Sequence, residues 1–333
     1  MQISPSVRAV QVPDESPMHP LFTSIYLVGK DGGGEALTID SGEAVDRYRW
    51  MLRGYLAATE RAEVALAGIT HFHLDHSGNL KWVRESLKAE VLVSDVAKPF
   101  LIKDERLPND GVKPLGDGEV ITLDGGVRVR VMFTPGHSPD SLCYYIEEEG
   151  VLFTGDTLLG SSTTTVHDLK QYRASLQALL ALPKLDVILP GHGAVVNDPR
   201  ARVEMYINHR NERERQIIAA LAEGGEQTSW DIMLKIYPDI DTRLRRAADS
   251  NVQAHLRQLQ AEGRLTTYAG VRTAPGEPDP TVVAEHERRD AVIQEAKKIE
   301  DEDRKAAIAA QENPPDDEWV ERPRFELVGT AKE

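Results

Sequence analysis

The chain has 333 residues, of which 41% are hydrophobic and 28% are charged, a composition typical of soluble globular proteins. No apolar run approaches the length of a membrane-spanning helix, which argues against a membrane protein. The net charge of −15 disfavours non-specific attraction to nucleic acids and to anionic membranes.

The chain contains one cysteine, Cys143, within the apolar run from Leu142 to Ile146. A cysteine in such a run is expected to be a core residue rather than a nucleophile. One cysteine allows no intramolecular disulfide, and the first residues show no basic stretch followed by an apolar core. Both features predict a cytoplasmic location.

Short elements separated by Pro- and Gly-rich turns are predicted before the first polar motif. They are strands at Val7 to Val12, Ser24 to Val28 and Ala36 to Ile39, a hairpin turn at Asp31 to Gly34, a helix over Glu43 to Thr59, and a buried strand at Val64 to Ile69.

A histidine-rich motif, Thr70-His71-Phe72-His73-Leu74-Asp75-His76-Ser77-Gly78-Asn79, follows the buried strand. Residues two apart in extended backbone point the same way, so His71 and His73 can bind one ion together. Asp75 and His76 follow at the turn, where they can bind a second ion. A single histidine on a strand is usually structural. Four potential ligands within six positions would be costly to bury without a metal ion, so the motif predicts a metal site.

The segment from Leu80 to Gly118 connects this motif to a second set of strands. It is predicted to form a helix over Leu80 to Lys88, a strand at Val91 to Ser94, and a long loop over Pro99 to Gly118. Long loops on rigid scaffolds often contact substrates. The basic residues in and beside this loop either bind an anionic substrate or belong to a solvated surface; they are Lys98, Lys103, Arg106 and Lys113.

Three later strands each end in a potential metal ligand beside a glycine. Val127 to Phe133 precede His137, Val151 to Thr154 precede Asp156, and Val187 to Leu189 precede His192. Glycine lets the backbone turn sharply and approach an ion. Because α/β folds build their sites where strand ends converge, the sequence predicts one metal site assembled from distant segments.

The remaining elements of the first 223 residues complete two strand-rich halves with helices outside them. They are strands at Glu119 to Leu123 and Leu142 to Glu147, a helix from Asp168 to Leu180, and a helix from Asp198 to about Glu223. This pattern indicates the α/β class.

These motifs, in this order, resemble the metallo-β-lactamase superfamily of binuclear hydrolases, with Asp40-Ser41-Gly42 as the first motif block. The resemblance implies a four-layer αββα sandwich. It also implies that His71, His73 and His137 hold one metal ion. Asp75, His76 and His192 would hold a second, and Asp156 would bridge both. Asp75 and Asp156 would be the catalytic carboxylates.

Residues 224–275 are predicted to form a separate small domain. A helix capped by Thr228 or Ser229 runs to Lys235, and two helices follow over Arg243 to Ala248 and Asn251 to Glu262. A hairpin of Arg264 to Tyr268 with Gly270 to Thr273 would complete a winged helix. With the preceding helix, this arrangement resembles the β-lactamase-like protein 2 group of endoribonucleases. The module holds seven basic and six acidic residues, which favours a structural or dimer-forming role over nucleic-acid binding.

The predicted domains are therefore a hydrolase domain at 1–223, a winged-helix-like domain at 224–275, and a charged tail at 276–333. The tail is predicted to form an exposed helix over Val282 to Gln311, followed by an end that is either flexible or packs only through Trp319 and Phe325.

The predicted function is metal-dependent hydrolysis, in which a hydroxide bridging two divalent ions attacks a small ester or thioester. Zn²⁺ is the expected ion, and the same ligands accept Mn or Fe. Two alternatives stay open: a single-strand-specific endoribonuclease, with RNA as partner, and a metal-sensing winged-helix regulator. A homodimer is a further expectation, and no membrane partner is expected.

Overall fold

The computed structural model describes residues 1–13, 21–30, 34–59, 63–272 and 319–328. The chain divides into two compact units, Met1–Asn208 and His209–Glu333. The predicted domain boundaries at 223 and 275 stay predictions. The hairpin turn predicted from Asp31 and the helix predicted over Val282 to Gln311 lie outside the described residues.

The first unit contains a seven-stranded sheet whose strands follow one another in chain order. The first four strands pair antiparallel, and the last four pair parallel. The strands are β1 (Gln2–Ser4), β2 (Val7–Pro13), β3 (Phe22–Val28), β4 (Glu35–Ile39), β5 (Glu63–Gly68), β6 (Glu90–Val93) and β7 (Val112–Pro114).

A second sheet of five strands in the same unit has the order β12-β11-β10-β9-β8. Its strands are β8 (Val120–Thr122), β9 (Arg128–Phe133), β10 (Leu142–Ile146), β11 (Val151–Gly155) and β12 (Val187–Pro190). Strands β11 and β12 run parallel, so both end at the same edge of the sheet.

The main hydrophobic core of this unit lies between the two sheets. Buried residues of both sheets form one cluster, in which the ring of Tyr26 meets that of Phe153 edge-on at 5.2 Å between centroids. Helix α1 (Asp46–Ala58) buries Tyr48 and Leu52 in a separate cluster with residues of β2 and β3. The sheets therefore form the inner layers of the predicted α/β sandwich, which is confirmed.

The other helices of the unit lie between strands or after them. They are α2 (Leu74–Ser77), α3 (Leu80–Trp82) with a π-helical turn at Val83–Leu87, α4 (Lys98–Lys103), α5 (Leu169–Leu180), and α6 (Pro199–Ala222), which begins in this unit. None of the helices among the described residues combines the length and the apolar character needed to cross a bilayer.

The prediction of a long loop over Pro99 to Gly118 is wrong, because this segment contains helix α4 and strand β7. Leu101 is fully buried and belongs to a hydrophobic cluster with Ile69 and Leu80. The segment is rich in Lys, Pro, Asp and Gly, so its composition predicts a loop. Composition does not reveal the short stretch of helix that is buried at Leu101.

The second unit has its own core around helices α7 (Ser229–Ile236) and α8 (Arg245–Ala261). Thr228 caps α7, as predicted, and forms a reciprocal capping box with Asp231. The two helices predicted over Arg243 to Glu262 are instead one short 3₁₀ turn and the single helix α8.

The strand pairing predicted for the wing hairpin is also wrong. Strand β14 (Leu265–Tyr268) pairs with β17 (Arg324–Leu327), which also pairs with β13 (Gln227–Thr228). Strand β15 (Val271–Arg272) pairs with β16 (Trp319–Glu321). The wing therefore takes strands from the end of the chain, and Phe325 packs against the core of this unit.

Candidate metal centre

The structure brings together all seven residues that the sequence predicts as metal ligands. They form two groups, and within each group the ligand atoms lie within 4.8 Å of one another. The first, here called the three-histidine cluster, consists of His71, His73 and His137. The second, here called the carboxylate cluster, consists of Asp75, His76, Asp156 and His192.

Strand ends bring these side chains to one place. Strand β5 ends at Gly68, and His71 follows within three residues, before helix α2 begins at Leu74. Asp156 directly follows β11, and His192 follows the parallel strand β12 by two residues. The close approach requires glycine at position 191, where a Cβ would lie 2.5 Å from His76 and 2.7 Å from Asp156.

In the three-histidine cluster, imidazole nitrogens converge on one another. His71 Nε2 lies 2.8 Å from His73 Nδ1 and 3.3 Å from His137 Nε2. The other ring nitrogen of His137 lies 2.9 Å from the carbonyl oxygen of Thr165, to which it must donate its hydrogen. A neutral His137 therefore directs the lone pair of Nε2 at its two partners. This donor set fits a divalent cation such as Zn²⁺.

In the carboxylate cluster, histidine nitrogens face carboxylate oxygens. His192 Nε2 lies 2.9 Å from Asp75 Oδ2, and His76 Nε2 lies 3.3 Å from Asp156 Oδ1. Asp156 Oδ1 is buried without a hydrogen bond among the described residues. The other oxygen of Asp156 lies 3.8 Å from His137 Nε2. One carboxylate thus faces both clusters, which fits a ligand shared by two cations.

The two clusters differ in the protonation of their histidines, which are neutral in the three-histidine cluster and protonated in the carboxylate cluster. Burial and, second to it, the neighbouring His137 lower the pKa of His73 to about 4. Burial also lowers the pKa of His71 and of His137. Burial opposes protonation of His192 as well, but the carboxylates of Asp156 and Asp75 outweigh it and raise its pKa to about 9. The pKa of His76 is raised for the same reason.

Asp40 holds His76 in place, a contact that the sequence interpretation missed. Its Oδ2 lies 2.8 Å from His76 Nδ1, and its Oδ1 accepts a hydrogen bond from the Thr70 amide at 2.7 Å. A carboxylate on the second nitrogen of a metal-binding histidine fixes the tautomer and the ring orientation. This contact depends on the parallel pairing of β4 with β5, which places the ends of both strands side by side.

The other residues singled out from the sequence have partners other than the seven clustered residues. Cys143 is fully buried, and burial raises the pKa of its thiol to about 12, so its prediction as a core residue is confirmed. Lys98 binds Asp95 at 2.6 Å, and Lys113 forms an ion pair with Glu90. Arg106 turns inward and donates to the backbone carbonyl of Phe72.

Comparison with known proteins places this fold and site in a family. The sequence profile described as "Metallo-beta-lactamase superfamily" matches residues 19–192. The profile described as "Beta-lactamase associated winged helix domain" matches residues 228–269.

Relatives of known name agree with these matches. A Caenorhabditis elegans protein named Beta-lactamase-like protein 2 homolog is 34% identical over 266 residues, 79% of this chain and 86% of that protein. An Aspergillus fumigatus protein named Atrochrysone carboxyl ACP thioesterase is 35% identical over 220 residues, 66% of each chain. The structure of a metallo-beta-lactamase family protein from Thermus thermophilus has a TM-score of 0.67 at 27% identity and covers 80% of this chain and 97% of that chain.

The family profile covers more than half of the chain, and it includes the strand ends that carry all seven clustered residues. The chain therefore belongs to the metallo-beta-lactamase superfamily and is a metal-dependent hydrolase with a C-terminal winged-helix domain.

Proposed function

We propose that the two clusters hold two divalent cations, with Zn²⁺ preferred over Mn or Fe, and that the chain hydrolyses a small ester or thioester. The three-histidine cluster would hold one cation. Asp75, His76 and His192 would hold the other, with Asp156 shared between them. When bound, such cations lower the pKa of a water molecule towards about 7 and polarise the carbonyl group that it attacks.

The observation that carries this proposal is the position of Asp156. Its two oxygens face different clusters, at 3.3 Å from His76 Nε2 and 3.8 Å from His137 Nε2. A carboxylate in this position fixes the spacing of two cations. The neutral imidazoles of the three-histidine cluster and the charged shared carboxylate can bind cations, once His76 and His192 have released their protons.

A thioester or ester substrate is supported by two further observations. One relative at 35% identity is named as a thioesterase. In addition, Leu74 lies between the predicted ligands His73 and Asp75 in the sequence, and this residue is 52% exposed. An exposed apolar residue next to the ligands in the chain suits the acyl group of a small substrate better than a phosphate backbone.

The second unit offers little support for RNA as a substrate. Arg243 pairs with Asp241 through its guanidinium, and Arg264 lies 3.2 Å from Glu262 and 3.4 Å from Glu214. Nucleic-acid-binding domains usually present a basic surface, whereas these two arginines are paired with carboxylates.

An assay of zinc-loaded protein against acyl-thioesters, lactones and single-stranded RNA tests the proposal. We expect thioester or ester turnover that changes little with salt, because few phosphate contacts are involved. An Asp156→Ala variant should lose this turnover, and the matched variant Asp95→Ala, at an exposed surface ion pair, should retain it. RNA cleavage that weakens steeply with salt and disappears in Asp156→Ala would contradict the proposed substrate class.

A further inference from the structure

Phe72 separates two of the predicted ligands, His71 and His73, and its ring packs edge-on against that of His73, at 4.8 Å between centroids. The Phe72 ring also stacks on that of Phe100 in helix α4, at 4.2 Å between centroids and an interplanar angle of 10°. Phe72 also packs against a buried cluster that includes Leu101. The residue between the histidines is therefore anchored in a hydrophobic core.

The backbone carbonyl of Phe72 is held by two side chains. Arg106 Nη1 donates to it, and Ser77 Oγ donates to it at 2.7 Å. Arg106 also donates to Ser77 Oγ and pairs with Asp104, and its side chain is only 10% exposed. The guanidinium fork thus joins the turn after α4 to the loop that carries the histidines.

We propose that Arg106 is a positioning residue of the three-histidine cluster, which holds the Phe72 peptide by its carbonyl oxygen together with Ser77. Among the described contacts, Arg106 does not touch the side chain of a predicted ligand. It acts by fixing the backbone between His71 and His73. The inference rests on the proposed function, since it assigns a role relative to a bound cation.

Loss of Arg106 should therefore weaken metal binding at the three-histidine cluster and leave the carboxylate cluster unchanged. Partners that orient metal ligands from outside are worth about 10- to 100-fold in metal affinity. We expect Arg106→Met to weaken Zn²⁺ binding at the three-histidine cluster by about that factor. Arg106→Lys should be intermediate, because an ammonium can donate to the Phe72 carbonyl but cannot reproduce the planar fork.

The test titrates the metal-free full-length chain with Zn²⁺ against a chelator of known affinity and with Co²⁺ while its visible absorption is recorded. The matched controls are Arg84→Met and Asp110→Asn, which break an ion pair of 2.9 Å on the surface of the same unit. We expect the Arg106 variants to change the Co²⁺ spectrum and the affinity of one of two binding steps. The controls should match the wild type.

Circular dichroism of the metal-free variants distinguishes a positioning role from a folding defect. Arg106→Lys keeps the charge of the side chain, so it preserves the test if Arg106→Met does not fold. A wild type that binds two ions, with variants whose affinity and Co²⁺ spectrum are unchanged, would overturn this inference alone. A wild type that binds no Zn²⁺ or Co²⁺ would overturn the proposed function as well.

Discussion

The two ligand clusters are both buried and lie side by side, yet they differ in charge and in how their histidines are held. The three-histidine cluster is kept unprotonated by burial, with the pKa of His73 lowered to about 4. The carboxylate cluster keeps its histidines protonated without a metal, with the pKa of His192 raised to about 9. The first cluster is thus ready for a cation, whereas the second must release protons to bind one.

The groups that orient the histidines from outside also differ between the two clusters. His137 donates to the Thr165 carbonyl and lies 2.9 Å from Thr164 Oγ1. His76 instead faces the carboxylate of Asp40 at 2.8 Å. A backbone partner and a hydroxyl leave the first cluster neutral, while a carboxylate makes the imidazole of the second more basic. The fold therefore sets the charge of each cluster through partners outside it.

The largest expected effect is the loss of one cation when a ligand is removed from the three-histidine cluster. His137→Ala should reduce the bound metal from about two ions to about one and lower hydrolysis by about a thousandfold, since Lewis-acid stabilisation is worth several kcal/mol. Metal analysis and turnover measure both quantities. His167→Ala, an exposed histidine on a neighbouring loop, should behave as the wild type. Full activity of His137→Ala would show that the clusters do not act together.

A smaller effect is expected from the partner of His76. Asp40→Asn keeps the shape of the side chain and tolerates the left-handed backbone at φ 66° but removes the charge. We expect metal affinity at the carboxylate cluster to fall by about 10- to 100-fold, while the three-histidine cluster retains its affinity. Chelator competition measures the change, and the exposed Asp186→Asn is the matched control. Equal losses at both clusters would contradict separate orienting partners.

The protonation difference predicts that the two binding steps depend differently on pH. A proton on His192, whose pKa is raised to about 9, is present at neutral pH and must leave when a cation binds. Affinity at the carboxylate cluster should therefore rise about tenfold per pH unit for each proton released, up to about pH 9. Affinity at the three-histidine cluster should stay nearly constant above about pH 6, because burial lowers the pKa values of its histidines. Calorimetry in buffers of different ionisation enthalpy counts the protons, and equal release from both steps would be inconsistent with this picture.

The smallest expected effect concerns the second partner of His137. Thr164→Val removes a hydroxyl at 2.9 Å from Nδ1, but the Thr165 carbonyl still accepts the hydrogen of that nitrogen. We expect metal affinity to fall by about threefold or less, in line with the modest net worth of one neutral hydrogen bond. A loss as large as that in Asp40→Asn would show that the hydroxyl, rather than the backbone, orients this ring.

The ligand residues were predictable because their chemistry is local and follows strand ends. The spacing of His71 and His73 and the glycines beside the later ligands are visible in the printed sequence. The partners were not predictable in the same way. Asp40 meets His76 across 36 positions, and this contact depends on the pairing of β4 with β5.

The same reasoning explains the errors in the fold. Strand β14 was predicted to pair with its neighbour in sequence, but it pairs with β17 near the end of the chain. Local patterns do not encode a strand partner so far away. Arg106 was considered as a contact for an anionic substrate, yet its side chain turns inward to Phe72. Only the tertiary structure shows which basic side chains donate to a buried backbone carbonyl group and do not extend into solvent.

Anomalous diffraction at the zinc edge from crystals of the zinc-loaded chain tests the central claim most directly. We expect two peaks about 3.5–4 Å apart, the spacing of two-metal sites. One peak should lie among the nitrogens of His71, His73 and His137, and the other should lie beside His76 and His192, with Asp156 between them. A single peak, or no peak within reach of His137, would contradict a two-cation hydrolase.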